Sequence, residues 1–151
     1  MTDDKTMPIT GGCLCGAVRY EASEPPTDSC YCHCTMCQRW TGAPTVAGLG
    51  FRTAALRITR GQPKFYNSSP SAERGFCTDC GSSLVMRYPD YDEFWVMIGS
   101  LDNPENATPQ RHMGIESQLP WFALADDLPR IRSEEEPGTP GYEEAVKQGE
   151  E

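Results

Sequence analysis

No basic segment followed by an apolar core opens this chain. Met1-Thr2-Asp3-Asp4-Lys5 is acidic and polar, so no secretory signal is visible and a cytoplasmic setting is expected. No apolar run approaches the roughly 20 residues that cross a bilayer, and no membrane contact is predicted. Internal repeats are absent. Histidine occurs only twice, leaving few imidazoles for acid–base work. A basic surplus is missing too: 13 Lys and Arg face 22 Asp and Glu, for a net charge of −9. Most of that charge is local. Residues 133–151 hold seven glutamates against Lys147, a contribution of −6 that leaves −3 for residues 1–132. The remainder is close to balanced, which gives no footprint for nucleic acid.

What the chain does have is cysteine, eight in 151 residues. In a reducing compartment, paired cysteines are metal ligands or catalytic groups more often than disulfides. Seven fall into three clusters: Cys13-Leu14-Cys15, Cys32-His33-Cys34-Thr35-Met36-Cys37 and Cys77-Thr78-Asp79-Cys80-Gly81. Their arithmetic is four plus three. Four thiolates close a tetrahedral zinc site, whereas three leave one coordination position for water or substrate.

Cys77-x-x-Cys80 followed by Gly81 has the form of a zinc knuckle, with Gly supplying the positive φ of the turn. A thioredoxin-like redox pair would need a helix behind the first cysteine, and Gly81-Ser82-Ser83-Leu84-Val85-Met86 reads as a turn into a strand. Cys13 and Cys15 share one face of an extended strand and can reach the same ion. Cys32, Cys34 and Cys37 converge if a strand end turns into a short helix, with Gln38-Arg39-Trp40-Thr41-Gly42 closing the loop. Cys30 and His33 stay open as a fourth ligand there. Cys30 follows the alternation of Cys32 and Cys34 and is otherwise a buried spare thiol, whereas His33 leaves the opposite side of the strand and reads as outer-shell or surface.

The fold class expected is mainly β, in small antiparallel sheets stapled by zinc, with few and short helices. Strands are predicted at Ala17–Ala22, Thr45–Phe51, Leu56–Arg60, Lys64–Tyr66, Ser83–Tyr88 and Phe94–Ile98, separated by Gly, Pro or Asn-Ser breakers. Helices are predicted at Thr35–Thr41 and Tyr142–Gln148. Length bounds the chain to one domain with a modest core. Its expected division is an N-terminal extension over 1–10, a zinc-binding domain over 11–132 and an acidic flexible tail over 133–151. Trp40, Trp95 and Trp121 are expected in the core, and His112 is expected to be structural.

Three segments together resemble a known family. They are Gly12-Cys13-Leu14-Cys15-Gly16-Ala17-Val18, Cys32 through Gly42, and Arg74-Gly75-Phe76-Cys77-Thr78-Asp79-Cys80-Gly81-Ser82. They are similar to the signatures of the glutathione-dependent formaldehyde-activating enzyme family, which also contains centromere protein V. A weaker likeness runs through Gly61-Gln62-Pro63, His112 and Trp121 to Leu128-Pro129.

The resemblance implies a β-tent fold and two zinc ions per chain: a structural one on Cys13, Cys15, Cys77 and Cys80, and a catalytic one on Cys32, Cys34 and Cys37. It also implies a carbon–sulfur lyase activity on S-(hydroxymethyl)glutathione, a thiol–aldehyde adduct of glutathione and formaldehyde. Arg39 and Arg74 are candidates for substrate carboxylates, and Thr41 and Gly42 for a hydroxyl and a close backbone approach. Cys30 is an added thiol relative to the family, and Gln38 stands where a basic residue is common. The alternative function is a non-catalytic zinc-stabilised scaffold for a protein partner. Oligomeric state is not legible in the residues.

Overall fold

The computed structural model describes residues 8–136. Eleven strands and one seven-residue α-helix occur among them, in the order β1 (Ile9–Gly12), β2 (Arg19–Ala22), β3 (Asp28–Cys32), α1 (Thr35–Thr41), β4 (Val46–Phe51), β5 (Leu56–Arg60), β6 (Lys64–Asn67), β7 (Glu73–Phe76), β8 (Ser83–Tyr88), β9 (Glu93–Met97), β10 (His112–Met113) and β11 (Arg130–Ile131). The protein is mainly β, as expected. No helix among the described residues is long and apolar enough to cross a membrane. The helix predicted at Tyr142–Gln148 lies outside the described residues.

Two sheets form. The smaller is antiparallel in the order β1-β2-β5, and the larger has eight strands in the order β11-β10-β3-β4-β9-β8-β7-β6. Antiparallel pairing holds except at one edge, where β10 runs parallel to both β3 and β11. The antiparallel sheets expected are found, with this parallel edge as an addition. Arg111 and Met113 carbonyls accept from Tyr31 N–H at 2.8 Å and His33 N–H at 2.9 Å, so a returning segment is zipped onto β3 in the same direction.

Strands β1, β3 and β7 escape a reading by propensity because they are built from Ile-Thr-Gly-Gly, Asp-Ser-Cys-Tyr-Cys and Glu-Arg-Gly-Phe. Glycine is a poor strand former that marks close backbone approach. At Gly11 a Cβ would come within 2.4 Å of the Tyr20 hydroxyl and 2.5 Å of the Ser100 carbonyl. Packing, not propensity, puts glycine there.

Alternation along β2 turns Tyr20 and Ala22 inward, where they join Leu49, Phe51, Leu84 and Val96 from the large sheet and Ile98 just after β9. One apolar cluster therefore joins both sheets. Each fully buried side chain of the size of Phe51 or Leu84 contributes about 1.5–3 kcal/mol relative to exposure. Tyr20 satisfies its buried hydroxyl with Ser100 Oγ at 2.6 Å. Cys13 and Cys77 belong to this same cluster, which sets one thiol group into the joint between sheets.

Trp95 packs beside Cys30 and Tyr88, but Trp121 is 72 % exposed, so the expectation that all three tryptophans fill the core fails for Trp121. It follows Pro120 in the long connection between β10 and β11, where no strand covers it.

Gly50 lies opposite Trp95 in the β4–β9 register. A Cβ there would stand 2.9 to 3.1 Å from three indole atoms. Gly50→Ala is expected to lose about 1–3 kcal/mol by overpacking. Gly99→Ala, whose Cβ meets nothing within 4 Å, is expected to stay within about 0.5 kcal/mol of the parent. Urea denaturation of both variants tests the contrast.

Candidate metal centres

Two groups of cysteines converge. The ligand atoms of Cys13, Cys15, Cys77 and Cys80 all lie within 4.8 Å of one another, and so do those of Cys32, Cys34 and Cys37. Cys30 joins neither group. Its side chain packs with Ala72, Tyr88 and Trp95, and burial pushes its thiol up to about 12. The geometry thus answers the fourth-ligand question for Cys30.

The first cluster is assembled from two turns. Cys13 and Cys15 occupy the β1–β2 connection, where Gly16 takes a φ of 81° and donates to the Cys13 carbonyl. Cys77 and Cys80 occupy the β7–β8 turn, closed by Gly81 at φ 77° donating to the Cys77 carbonyl at 2.8 Å. Sulfur separations are 3.6 Å for Cys13–Cys15 and 3.8 Å for Cys15–Cys77. Zinc–sulfur bonds of about 2.3 Å in a tetrahedron put sulfurs about 3.8 Å apart. The donor set fits zinc in size and softness.

Ser82, which sequence reading passed over, links the two halves. Its Oγ accepts from Leu14 N–H at 3.0 Å and lies 3.1 Å from Cys80 Sγ. The Ser82 hydrogen bonds hold the Cys80 thiol down at about 6.

The second cluster sits where β3 gives way to α1. Cys32 ends the strand; Cys34 is the helix N-cap, its sulfur accepting from Cys37 N–H at 3.4 Å. A residue at the cap and one three positions later face each other across the first turn. That is the local reason a Cys-x-x-Cys pair converges at a helix start. Gly42 ends the helix in the left-handed region, φ 72°, and donates to the Gln38 carbonyl.

The Cys37 thiol is held well below its ordinary range by hydrogen bonds from Cys32 and Cys34 and by the neighbouring Arg74. The Cys32 thiol is raised in return. Three soft donors converge here with no fourth among the described residues, a set that suits zinc.

The predicted substrate-contact residues fall at different depths. Arg39 is exposed on α1, and Gly42 is exposed at its end. Thr41 Oγ1 donates to the Cys37 carbonyl at 2.8 Å and lines a cleft of about 670 Å³. Val46 and Met97, which pack against Cys34 and Cys37, line the same cleft, and the Arg19–Asp102 ion pair borders it. Arg74 is buried, with its guanidinium against Cys37 Sγ and over the Trp40 ring. Gln38 donates to the carbonyls of His33 at 2.6 Å and Ser117 at 3.0 Å, tying the later loop to the cluster. Its amide uses two donors at once, which a single basic point charge would not match in shape.

His33 is fully buried, which removes the surface alternative for a side chain that leaves the strand opposite the sulfurs. The reason is the returning segment that covers that side of β3. His33 Nε2 lies 2.8 Å from His112 Nδ1, and His112 Nε2 lies 3.1 Å from both Asp126 oxygens. With Asp126 ionised, His112 donates to it, His112 Nδ1 accepts from His33, and His33 Nδ1 is left as a bare acceptor. That atom is a buried side-chain nitrogen with no partner among the described residues. Burial, and then His112, push the His33 imidazole down to about 4, which keeps it neutral. His112 is fully buried between His33 and Asp126, partners that sequence could not supply.

His112→Leu strands a buried donor and is expected to cost about 1–3 kcal/mol. The His33→Leu/His112→Leu double variant is expected to lose less than the sum of the single variants, by roughly 0.5–3 kcal/mol of coupling. Denaturation of the four metal-loaded proteins reads that coupling.

Comparison with known proteins follows the same residues. The sequence profile of the glutathione-dependent formaldehyde-activating enzyme family matches residues 8–117, a span containing both cysteine clusters. An uncharacterized lyase of Schizosaccharomyces pombe is 35% identical over 95 residues, 59% of this chain and 68% of that protein. A Halomonas elongata protein, named as a candidate glutathione-dependent formaldehyde-activating enzyme, is 27% identical over 128 residues, 78% of this chain and 82% of its own length. A crystal structure of a Rhodobacter sphaeroides protein superposes with a TM-score of 0.53 at 28% identity, covering 66% of this chain and 97% of that one. By the extent of the profile match and the identity to the yeast protein, this chain belongs to the glutathione-dependent formaldehyde-activating enzyme family.

Proposed function

We propose that the protein is a zinc-dependent carbon–sulfur lyase acting on thiol–aldehyde adducts of the S-(hydroxymethyl)glutathione kind, with a structural zinc on Cys13, Cys15, Cys77 and Cys80 and a catalytic zinc on Cys32, Cys34 and Cys37. The observation that carries this reading is the unequal donor count. Four sulfurs converge in one cluster and three in the other, with Cys30 turned into a separate apolar group. Zinc at the second cluster would supply a Lewis acid able to stabilise a substrate thiolate or aldehyde oxygen.

The reaction balances without redox chemistry. In the forward direction the thiol sulfur bonds to the carbonyl carbon and the thiol proton passes to the oxygen; the reverse breaks that carbon–sulfur bond and restores both reactants. Such a step needs positioning more than a strong base. The cleft falls in the size range of small-ligand sites; Cys13 of the first cluster lines it, and it meets the second cluster only through Val46 and Met97, which pack against Cys34 and Cys37. Thr41 offers a hydroxyl on its wall, and Arg39 and Gly42 lie at the exposed end of α1, where a carboxylate of a glutathione-like thiol could be met.

Incubation of the metal-loaded protein with glutathione and formaldehyde tests the reading directly, by following S-(hydroxymethyl)glutathione by NMR exchange. Expected is exchange faster than in buffer, lost in Cys37→Ser. Unchanged exchange rates with a fully metallated protein would leave the scaffold role in its place.

Metal analysis provides a second check. Two zinc ions per chain are expected, the three-thiolate site losing its metal first during stepwise chelation. Cys77→Ser is expected to unfold or precipitate the chain, whereas Cys37→Ser is expected to leave a folded protein with one metal, as judged by circular dichroism. Cys30→Ser is expected to keep both metals. Loss of both ions in one transition coupled to unfolding would contradict the division of roles.

A further inference from the structure

Arg74 presents an electrostatic problem that the second cluster resolves. Its side chain lies on β7 at 3 % exposure, and among the described residues it forms no ion pair with a carboxylate. Its terminal nitrogens stand 3.7 and 3.8 Å from Cys37 Sγ, and its guanidinium carbon stands 4.7 Å from the centre of the Trp40 ring. A buried guanidinium without an anionic partner is strongly unfavourable. The nearby groups able to carry negative charge are the sulfurs of Cys37 and Cys34 and the phenol of Tyr88, and burial pushes the Tyr88 phenol well above its ordinary range, which leaves the sulfurs.

Charge counting makes the match quantitative. Three thiolates around a divalent ion carry a net charge of −1, which one guanidinium cancels. Four thiolates around such an ion carry −2. The first cluster can leave that charge to water and amides, because Cys15 is exposed, Cys80 is part-exposed and Val18 N–H points at Cys13 Sγ at 3.2 Å. The second cluster has less of such an outlet: Cys34 and Cys37 are both buried, Cys32 is only part-exposed, and one backbone amide, Cys37 N–H, points at Cys34 Sγ at 3.4 Å, while none is seen at Cys37 Sγ among the described residues. A cation supplied by the protein takes the place of solvent.

We propose that Arg74 is the positioning residue of the second thiol cluster: it cancels the third thiolate charge and holds Cys37 in place, so that a divalent metal is bound there as a neutral unit. A neutral unit can receive a further anionic sulfur at lower electrostatic cost than a charged one. Trp40 contributes the second surface of the clamp. Its ring faces the guanidinium and keeps that cation oriented toward sulfur. The guanidinium is therefore committed to Cys37 and is not displayed to a substrate carboxylate.

This role rests on Cys32, Cys34 and Cys37 forming a metal centre, and cobalt(II) separates the two claims. The parent, Arg74→Lys and Arg74→Met are loaded with cobalt under reducing conditions. Visible absorption distinguishes the clusters, and chelator competition gives the affinity of each. In Arg74→Met the second cobalt is expected to bind roughly 10- to 100-fold more weakly, as is usual when a ligand loses its hydrogen-bonding partner. The first cobalt is expected to change by less than about twofold, since its cluster does not touch Arg74. Arg74→Lys keeps the charge and is expected to recover most of the lost affinity. If Arg74→Met does not fold, Arg74→Gln gives the same reading without the charge. A second-site affinity that is unchanged without the charge overturns the role of Arg74 alone, as does an equal loss in the lysine variant. Uptake of a single cobalt by the parent overturns the metal-centre reading and this role with it.

Discussion

Cys15 and Cys77 are 62 residues apart in the chain and 3.8 Å apart at their sulfurs. That closure is the constraint on which the architecture turns. The β1–β2 connection belongs to the three-stranded sheet and the β7–β8 turn to the eight-stranded sheet, so the cluster brings one sheet to the other at the apolar joint that Cys13 and Cys77 share. The entropy of closing a loop grows only slowly with its length, so a clamp between distant turns is efficient once it forms. A chain of this size has a modest core, and soft-metal ligation is a common supplement. Tyr20 and Ser100 brace the same corner, with Gly11 leaving room for the tyrosine hydroxyl.

The second cluster obeys a different logic because two of its three cysteines, Cys34 and Cys37, are buried. Its sulfurs are supplied over six residues by one strand end and one helix start, so little long-range closure is needed to gather them. What must come from afar is charge balance and support. Arg74 arrives from β7 across the sheet and Gln38 reaches the 117 carbonyl. Gly75 beside Arg74 allows β7 to lie close to β8, since a Cβ there would come within 2.6 Å of Val85. The thiol trio is local, and its environment is not.

The alternation around Cys32, His33 and Cys34 serves both faces of β3. Sulfurs leave one side toward the helix; the imidazole leaves the other toward His112 and Asp126. A segment at the far end of the family-like region is thereby locked beneath the cluster. The parallel edge formed by β10 and β11 exists because this segment is held by ring nitrogens and by backbone pairing to β3 together. Fold and site share that contact.

Local chemistry was legible in the residues themselves. Thr35–Thr41 was readable as a helix because Gly42 supplies its left-handed end, Leu56–Arg60 as a strand because its apolar residues alternate, and Ser83–Tyr88 because a short apolar run lies between breakers. The division of seven cysteines into four and three followed from spacing, because turn and cap geometries act over two to four residues. Tertiary structure decided what spacing cannot encode: that Cys30 turns away, that His33 is enclosed, that Trp121 is left outside, and that Arg74 faces a sulfur. The strands β1, β3 and β7 belong to the same category, since their glycines and cysteines are selected by what lies across from them. Short-range geometry is written into neighbouring residues, whereas burial, charge pairing and hydrogen-bond partners depend on which distant strands the fold brings side by side.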